Sequence, residues 1–230
     1  MVLSGGKSDA VLILQLTLIW ASFLSILPPL MAPRPENGRE PVPSSVPRLA
    51  LVFIPVAIVM SVTSGMRAAA PSGASFRKRV EKALRRSIAG LSVGTAVIYT
   101  ITVILGAPIT TQVPETFMFS LLVAALTFLP VCISSRHPLR AFSSWLQGGS
   151  PPAHEVGVMI PAAACGAGAW LGAIPLCLDW ERPWQAWPLP LCVGGLLGFS
   201  VGTSMVLGMN GWIRLRRRLD QEASPGAKWS

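Results

Sequence analysis

Charge is what this sequence has least of. Only 13% of its 230 residues are Asp, Glu, Lys or Arg, about half of the roughly 25% usual in a soluble domain. Hydrophobic residues make up 51%. The shortfall argues against an ordinary water-soluble fold. Histidine is nearly absent: His137 and His154 are the only two. Metal-dependent phosphoryl transfer needs several Asp and His ligands beside a nucleophile. No H-x-x-x-D run or paired metal motif supplies them, so the chain reads as a scaffold with no catalytic residue, metal or cofactor of its own. Cysteine is sparse as well. Cys132, Cys165, Cys177 and Cys192 lack the C-x-x-C spacing of a zinc site. They sit in or beside apolar runs, where cysteine packs as a small hydrophobe. Cys177 and Cys192 fall near one membrane face, which leaves a disulfide between them open.

What the sequence has is long apolar runs. A spanning helix needs roughly 20 of them in a row. Six segments qualify, at about Ala10–Leu30, Leu49–Met66, Ser87–Ala107, Thr116–Ser134, Val156–Leu176 and Leu189–Ile213, none with a charged residue in its core. The expected fold is therefore all-α, a polytopic membrane protein with a six-helix transmembrane bundle as a single domain. Pro55 and Pro130 should kink the second and fourth spans, which packed neighbours can compensate. The first run exceeds the 7–15 residues of a signal-peptide core and ends in Pro28-Pro29 with no small-x-small cleavage site, so it reads as a retained anchor.

The net charge of +9 and pI near 10.5 would suit a nucleic-acid binder, but the basic residues lie between apolar runs and accompany no nucleic-acid motif. They are topogenic. With both termini in the cytosol, fifteen Lys and Arg lie on the cytosolic side: Lys7, seven in the 67–86 loop, Arg136 and Arg140, and five in the 214–230 tail. Four, Arg34, Arg39, Arg48 and Arg182, lie opposite. Such an imbalance sets orientation. Within the 67–86 loop Phe76, Val80, Leu84 and Ile88 recur every four residues among basic ones. Two readings fit, an amphipathic helix lying on an anionic leaflet and a solvated connector.

Lipid gives helices no hydrophobic reason to associate, so small residues at four-residue spacing mark close packing. Gly90 and Gly94 provide this in the third span, Gly168 and Gly172 in the fifth, and Gly194, Gly198 and Gly202 in the sixth. Spans three, five and six are expected to form the tight part of the bundle, and part of one face is left available for a partner's helix.

The hairpin between the last two spans carries the most information. It reads Leu171-Gly172-Ala173-Ile174-Pro175-Leu176-Cys177-Leu178-Asp179-Trp180-Glu181-Arg182-Pro183-Trp184-Gln185-Ala186-Trp187-Pro188. By charge counting it faces away from the cytosol. Its tryptophans suit a membrane interface, and Pro183 and Pro188 stiffen the turn. Arg182 can pair with Asp179 or grip a phosphate through its planar fork. Physics alone also allows a plain aromatic belt on a tight loop.

This stretch resembles the signature of the PIG-F family, membrane proteins of GPI-anchor assembly, with its pattern G-A-x-P-x-P-L-D-W-D-R-P-W-Q. Gly172, Ala173, Pro175, Leu178, Asp179, Trp180, Arg182, Pro183, Trp184 and Gln185 match. Glu181 stands where the family has Asp, and Cys177 where a second Pro is common. Gly106-Ala107-Pro108, Glu115-Thr116-Phe117 and Leu126-Thr127-Phe128-Leu129-Pro130 resemble the family too.

The resemblance implies an endoplasmic reticulum membrane protein that stabilises large catalytic subunits, PIG-O and PIG-G. Those enzymes move phosphoethanolamine from phosphatidylethanolamine onto mannoses of the GPI precursor. Asp179, Trp180, Glu181, Arg182, Pro183, Trp184 and Gln185 are then the candidate contacts to partner or lipid. Two alternatives remain open, a lipid-headgroup enzyme in its own right and a lipid-binding transporter or scramblase-like protein. The second would be expected to keep charges inside the bilayer, and these spans carry none. The final residues show no ER-retrieval signal, so residence in that membrane follows from the resemblance.

Overall fold

The structure is a computed structural model, and it describes residues 76–135, 147–149, 153–178, 180 and 183–223, together with the isolated positions 10, 13, 14, 16, 17, 20 and 143. The first expected span lies outside these residues except for six helical positions between Ala10 and Trp20, and the second lies wholly outside them. The described part is helical, in the order α1 (Phe76–Ile104), α2 (Val113–Leu126), α3 (Phe128–Ser134), α4 (Ala153–Leu171) and α5 (Leu189–Ala223), with two short 3-10 turns, Ile174–Cys177 and Pro183–Gln185, between the last two. Four segments among the described residues are long and apolar enough to cross a membrane: Val80–Ile104, Val113–Ser134, Glu155–Cys177 and Leu189–Glu222. This is a helical membrane protein, and the described residues carry four of the six expected spans.

Helix α1 begins at Phe76, eleven positions before the expected start of its span, so the second half of the 67–86 loop is its first three turns. It runs on into the spanning segment without a break, so this basic stretch and the span are one helix. Ala83 and Ser87 are buried while Leu84 and Ile88 are exposed, so the inward face is the small one. Glu81 and Arg85 pair on the outer surface at 2.8 Å. The helix ends at a glycine: Gly106 takes φ +105°. The amide N–H groups of Gly106 and Ala107 donate back to Val103 O and Thr102 O, each at 3.0 Å. This left-handed cap satisfies the last carbonyls, and Pro108 follows it.

The fourth span is broken at Thr127, between α2 and α3. Pro130 has no N–H for the carbonyl of Leu126 and its ring crowds that turn, so the break falls where the sequence implies a kink. Thr127 Oγ1 donates to Val123 O at 2.7 Å. Buried Ser87, Ser120, Ser200 and Thr203 likewise donate to the carbonyl four residues back, so these hydroxyls are satisfied within the apolar interior. Pro161 lies inside α4 without ending it.

The helices stack in three layers: α1 packs on α2 and α3, and these pack on the α4/α5 pair. The middle layer is the hub. Of the apolar window in Val113–Ser134, 67% is buried, against 28% for α1 and for α4. The core joins Phe119, Leu122, Val123 and Leu126 of α2 to Cys165 and Ala169 of α4 and to Leu189, Cys192, Leu196 and Phe199 of α5. Val93, Val97, Ile101 and Ile104 remain exposed on α1, an apolar outer face suited to lipid. At 35 residues α5 is about 52 Å long, well beyond a hydrocarbon core of roughly 30 Å. It carries the stretch from Arg214 to Ala223, part of the expected tail, as helix.

Candidate functional site

The site is the 172–188 hairpin and the helix end that seats it. After α4 the chain turns through Ile174–Cys177, where Pro175 favours the tight first turn, and again through Pro183–Gln185. Gln185 closes this hairpin from inside. Its side-chain amide Nε2 donates to Pro175 O at 2.7 Å and to Leu178 O at 2.6 Å, so one side chain holds both strands of the loop to each other. Trp180 and Trp184 stack edge to face, with centroids 5.9 Å apart. Trp184 packs against the core while Trp180 is 54% exposed, which places one ring on the protein and the other at its surface. The Trp187-Pro188 peptide bond is cis.

Trp187 ties the hairpin to α2. Its Nε1–H donates to Thr116 Oγ1 at 3.0 Å, across 71 residues of chain. The Thr116 hydroxyl in turn donates to Gln112 O at 2.9 Å. Thr116 is fully buried, so both its polar roles are met. The Trp187 ring also lies 6.4 Å from that of Phe119. Next to Thr116, Glu115 buries Oε2 with no hydrogen-bond partner among the described residues. It stands in the first turn of α2, where the positive end of the helix favours a negative charge.

Of the seven candidate contact residues, the structure describes Trp180, Pro183, Trp184 and Gln185, and brings the two tryptophans and Gln185 into one clamped turn. Asp179, Glu181 and Arg182 lie outside the described residues. Thr116, the acceptor that seats the loop, carries no chemical signal of its own in the sequence beyond the Glu115-Thr116-Phe117 likeness. Among the described residues no three of His, Cys, Asp and Glu gather as a metal site. Cys177 and Cys192 are both free, one exposed and the other buried in α5.

The small residues behind the loop are used inside the chain. Gly168 faces Gly194, Gly172 faces Pro190 and Gly198 faces Ala164, each so closely that a Cβ would strike a backbone carbonyl oxygen. Gly202 lies against Pro161, 2.7 Å from where its own Cβ would stand. Gly90 and Gly94 face Cys132 and Phe128 at 2.8 and 2.6 Å on the same measure. The tight contact is thus between spans five and six, and span three packs on span four instead of joining them.

The model for the family described as GPI biosynthesis protein family Pig-F matches residues 39–207. The chain belongs to this family. A mouse Pig-F relative named GPI ethanolamine phosphate transferase, stabilizing subunit is 35% identical over 133 residues, 56% of this chain and 58% of its own. A human relative of the same name is 37% identical over 109 residues, 45% and 48% of the two chains. In Pyricularia oryzae, Glycosylphosphatidylinositol anchor biosynthesis protein 11 is 33% identical over 111 residues, 48% of this chain and 41% of its own. The chain spans about half the length of the curated relatives it matches. No solved structure matches it.

Proposed function

We propose that this Pig-F protein is the non-catalytic, stabilising subunit of GPI ethanolamine-phosphate transferases in the endoplasmic reticulum membrane. Its partners are PIG-O-like and PIG-G-like catalytic subunits, which transfer phosphoethanolamine from phosphatidylethanolamine to mannoses of the GPI precursor. The chain crosses the membrane six times with both termini in the cytosol, and the 172–188 hairpin is luminal, on the side of the catalytic domains. The observation that carries this reading is the family signature itself, held as a clamped, core-anchored turn by Gln185 and Trp187. The clamp holds Trp180 beside Trp184, so that ring meets a partner at low entropic cost. Deleting the protein in its own host tests the reading. The catalytic subunits should fall in abundance, and GPI precursors lacking ethanolamine phosphate should accumulate. Normal levels of both would remove it.

A further inference from the structure

Two helices on opposite layers of the stack, α1 and α5, carry basic stretches. Between Phe76 and Arg86 the first turns of α1 hold six basic residues against one acid, Glu81. Between Arg214 and Arg218 α5 holds four arginines, and its acids, Asp220 and Glu222, follow only farther along. Both stretches lie at one end of the bundle. Gly90 and Gly94 of α1 face Cys132 and Phe128, so α1 runs antiparallel to α2 and α3 and ends at Ile104, beside the start of α2. There Thr116 holds Trp187, two residues before α5 begins. The end of α1 and the start of α5 thus share the hairpin level, and the basic stretches share the opposite one.

Depth along the helices says what these charges meet. A hydrocarbon core of roughly 30 Å takes about 20 residues of helix. That distance ends at Met209 when counted from Leu189, and at Leu84 when counted back from Ile104. The arginines of α5 begin about 8 Å beyond the core, and Lys82 and Lys78 of α1 lie about 3 and 9 Å beyond it. Side chains on a helix lean toward its N-terminus. Those of α5 therefore lean back toward the bilayer and those of α1 away from it, which carries both sets into a headgroup layer about 5–8 Å deep. Lys78, Lys82, Arg216, Arg217 and Arg218 are exposed there, while Arg85 is held by Glu81. Leu84, Ile88, Trp212 and Ile213 stand exposed beside the charges, nearer the core, as suits side chains at the acyl boundary beneath lipid phosphates. An acidic protein would cover one side of the bundle. Basic stretches repeated at one depth on opposite layers match what surrounds every side, a sheet of phosphates.

We propose that the far ends of α1 and α5 bind the headgroups of anionic phospholipids, one station on each outer layer, with the planar forks of the α5 arginines on lipid phosphate. The inference requires only that α1 and α5 span the membrane and is independent of the accessory-subunit reading. It also differs from a topogenic role, because charge that only sets orientation acts during insertion and leaves the folded protein without a lipid preference. The test uses the full chain in nanodiscs of phosphatidylcholine with a minor share of phosphatidylserine, and native mass spectrometry of the lipid it retains. Phosphatidylserine should be enriched about fivefold over its share, the factor for one basic residue at an anionic surface. The triple change Arg216→Gln, Arg217→Gln and Arg218→Gln and the double change Lys78→Gln and Lys82→Gln should each remove about half of that excess, and the two together nearly all of it. On the unaltered chain, a phosphatidylserine with a diazirine in its headgroup should cross-link within both 76–88 and 212–223, which keeps the test decisive if a variant fails to fold. Equal retention of the two lipids, enrichment that survives both sets of changes, or a headgroup probe that misses either stretch, in nanodiscs or in native membranes where a protein covers it, overturns the inference.

Discussion

Gly168 and Gly194 meet main chain to main chain, each lying where the other's carbonyl oxygen leaves no space for a Cβ. Gly168→Leu or Gly194→Leu should force the helices apart and destabilise the protein by about 1–3 kcal/mol or more, the usual cost of overpacking. Gly166, two residues before Gly168 on another face of α4, meets nothing within 4 Å. Gly166→Ala should change stability by no more than about 0.5 kcal/mol. Thermal unfolding in one detergent separates the two classes, and equal effects at Gly166 and Gly168 would contradict the observed contact.

The indole donor of Trp187 and the hydroxyl of Thr116 act as a pair. Trp187→Phe and Thr116→Val should each cost about 1 kcal/mol or somewhat more. The double variant should cost less than their sum by at least about 0.5 kcal/mol, because residues in one hydrogen-bond chain are not independent. Strict additivity would show that the bond is not made.

Gln185 spans the hairpin with two donated bonds. Gln185→Glu replaces the donor with an acceptor facing two carbonyl oxygens and should be worse than Gln185→Ala. Each bond contributes about 0.5–1.5 kcal/mol, so either change should open the loop to limited proteolysis and accelerate its amide exchange while α1 keeps its protection.

The position of the hairpin can be read from its thiol. Cys177 is exposed, whereas Cys165 and Cys192 are buried. In sealed microsomes an impermeant maleimide should leave Cys177 unmodified and react once the vesicles are opened. Labelling in intact vesicles would reverse the proposed orientation.

The outlines of the last four spans were legible because runs depleted of charge are the dominant signal of a membrane helix, and Pro130 marked the break near Thr127. The extent of α1 and α5 was not. Hydropathy falls at Arg86 and at Arg214, but a helix continues into water wherever its residues favour it, and Arg, Lys, Glu and Leu do. Helix pairing was only half visible. The spacing of Gly90 and Gly94 announces a close approach, but the facing residues, Cys132 and Phe128, become neighbours only in three dimensions. The same holds at the site: the tryptophans and prolines of the hairpin stand out in the sequence, whereas its anchor on Thr116 lies 71 residues away.

Helix α5 is uninterrupted from Leu189, at the foot of the hairpin, to Ala223, among the basic residues at the opposite end. The clamped turn and the arginine cluster therefore ride on one stiff rod. A protein that grips the arginines on one side of the bilayer also sets the tilt at which the tryptophans meet whatever docks on the other. Orientation can thus be conveyed across the membrane without any refolding in between.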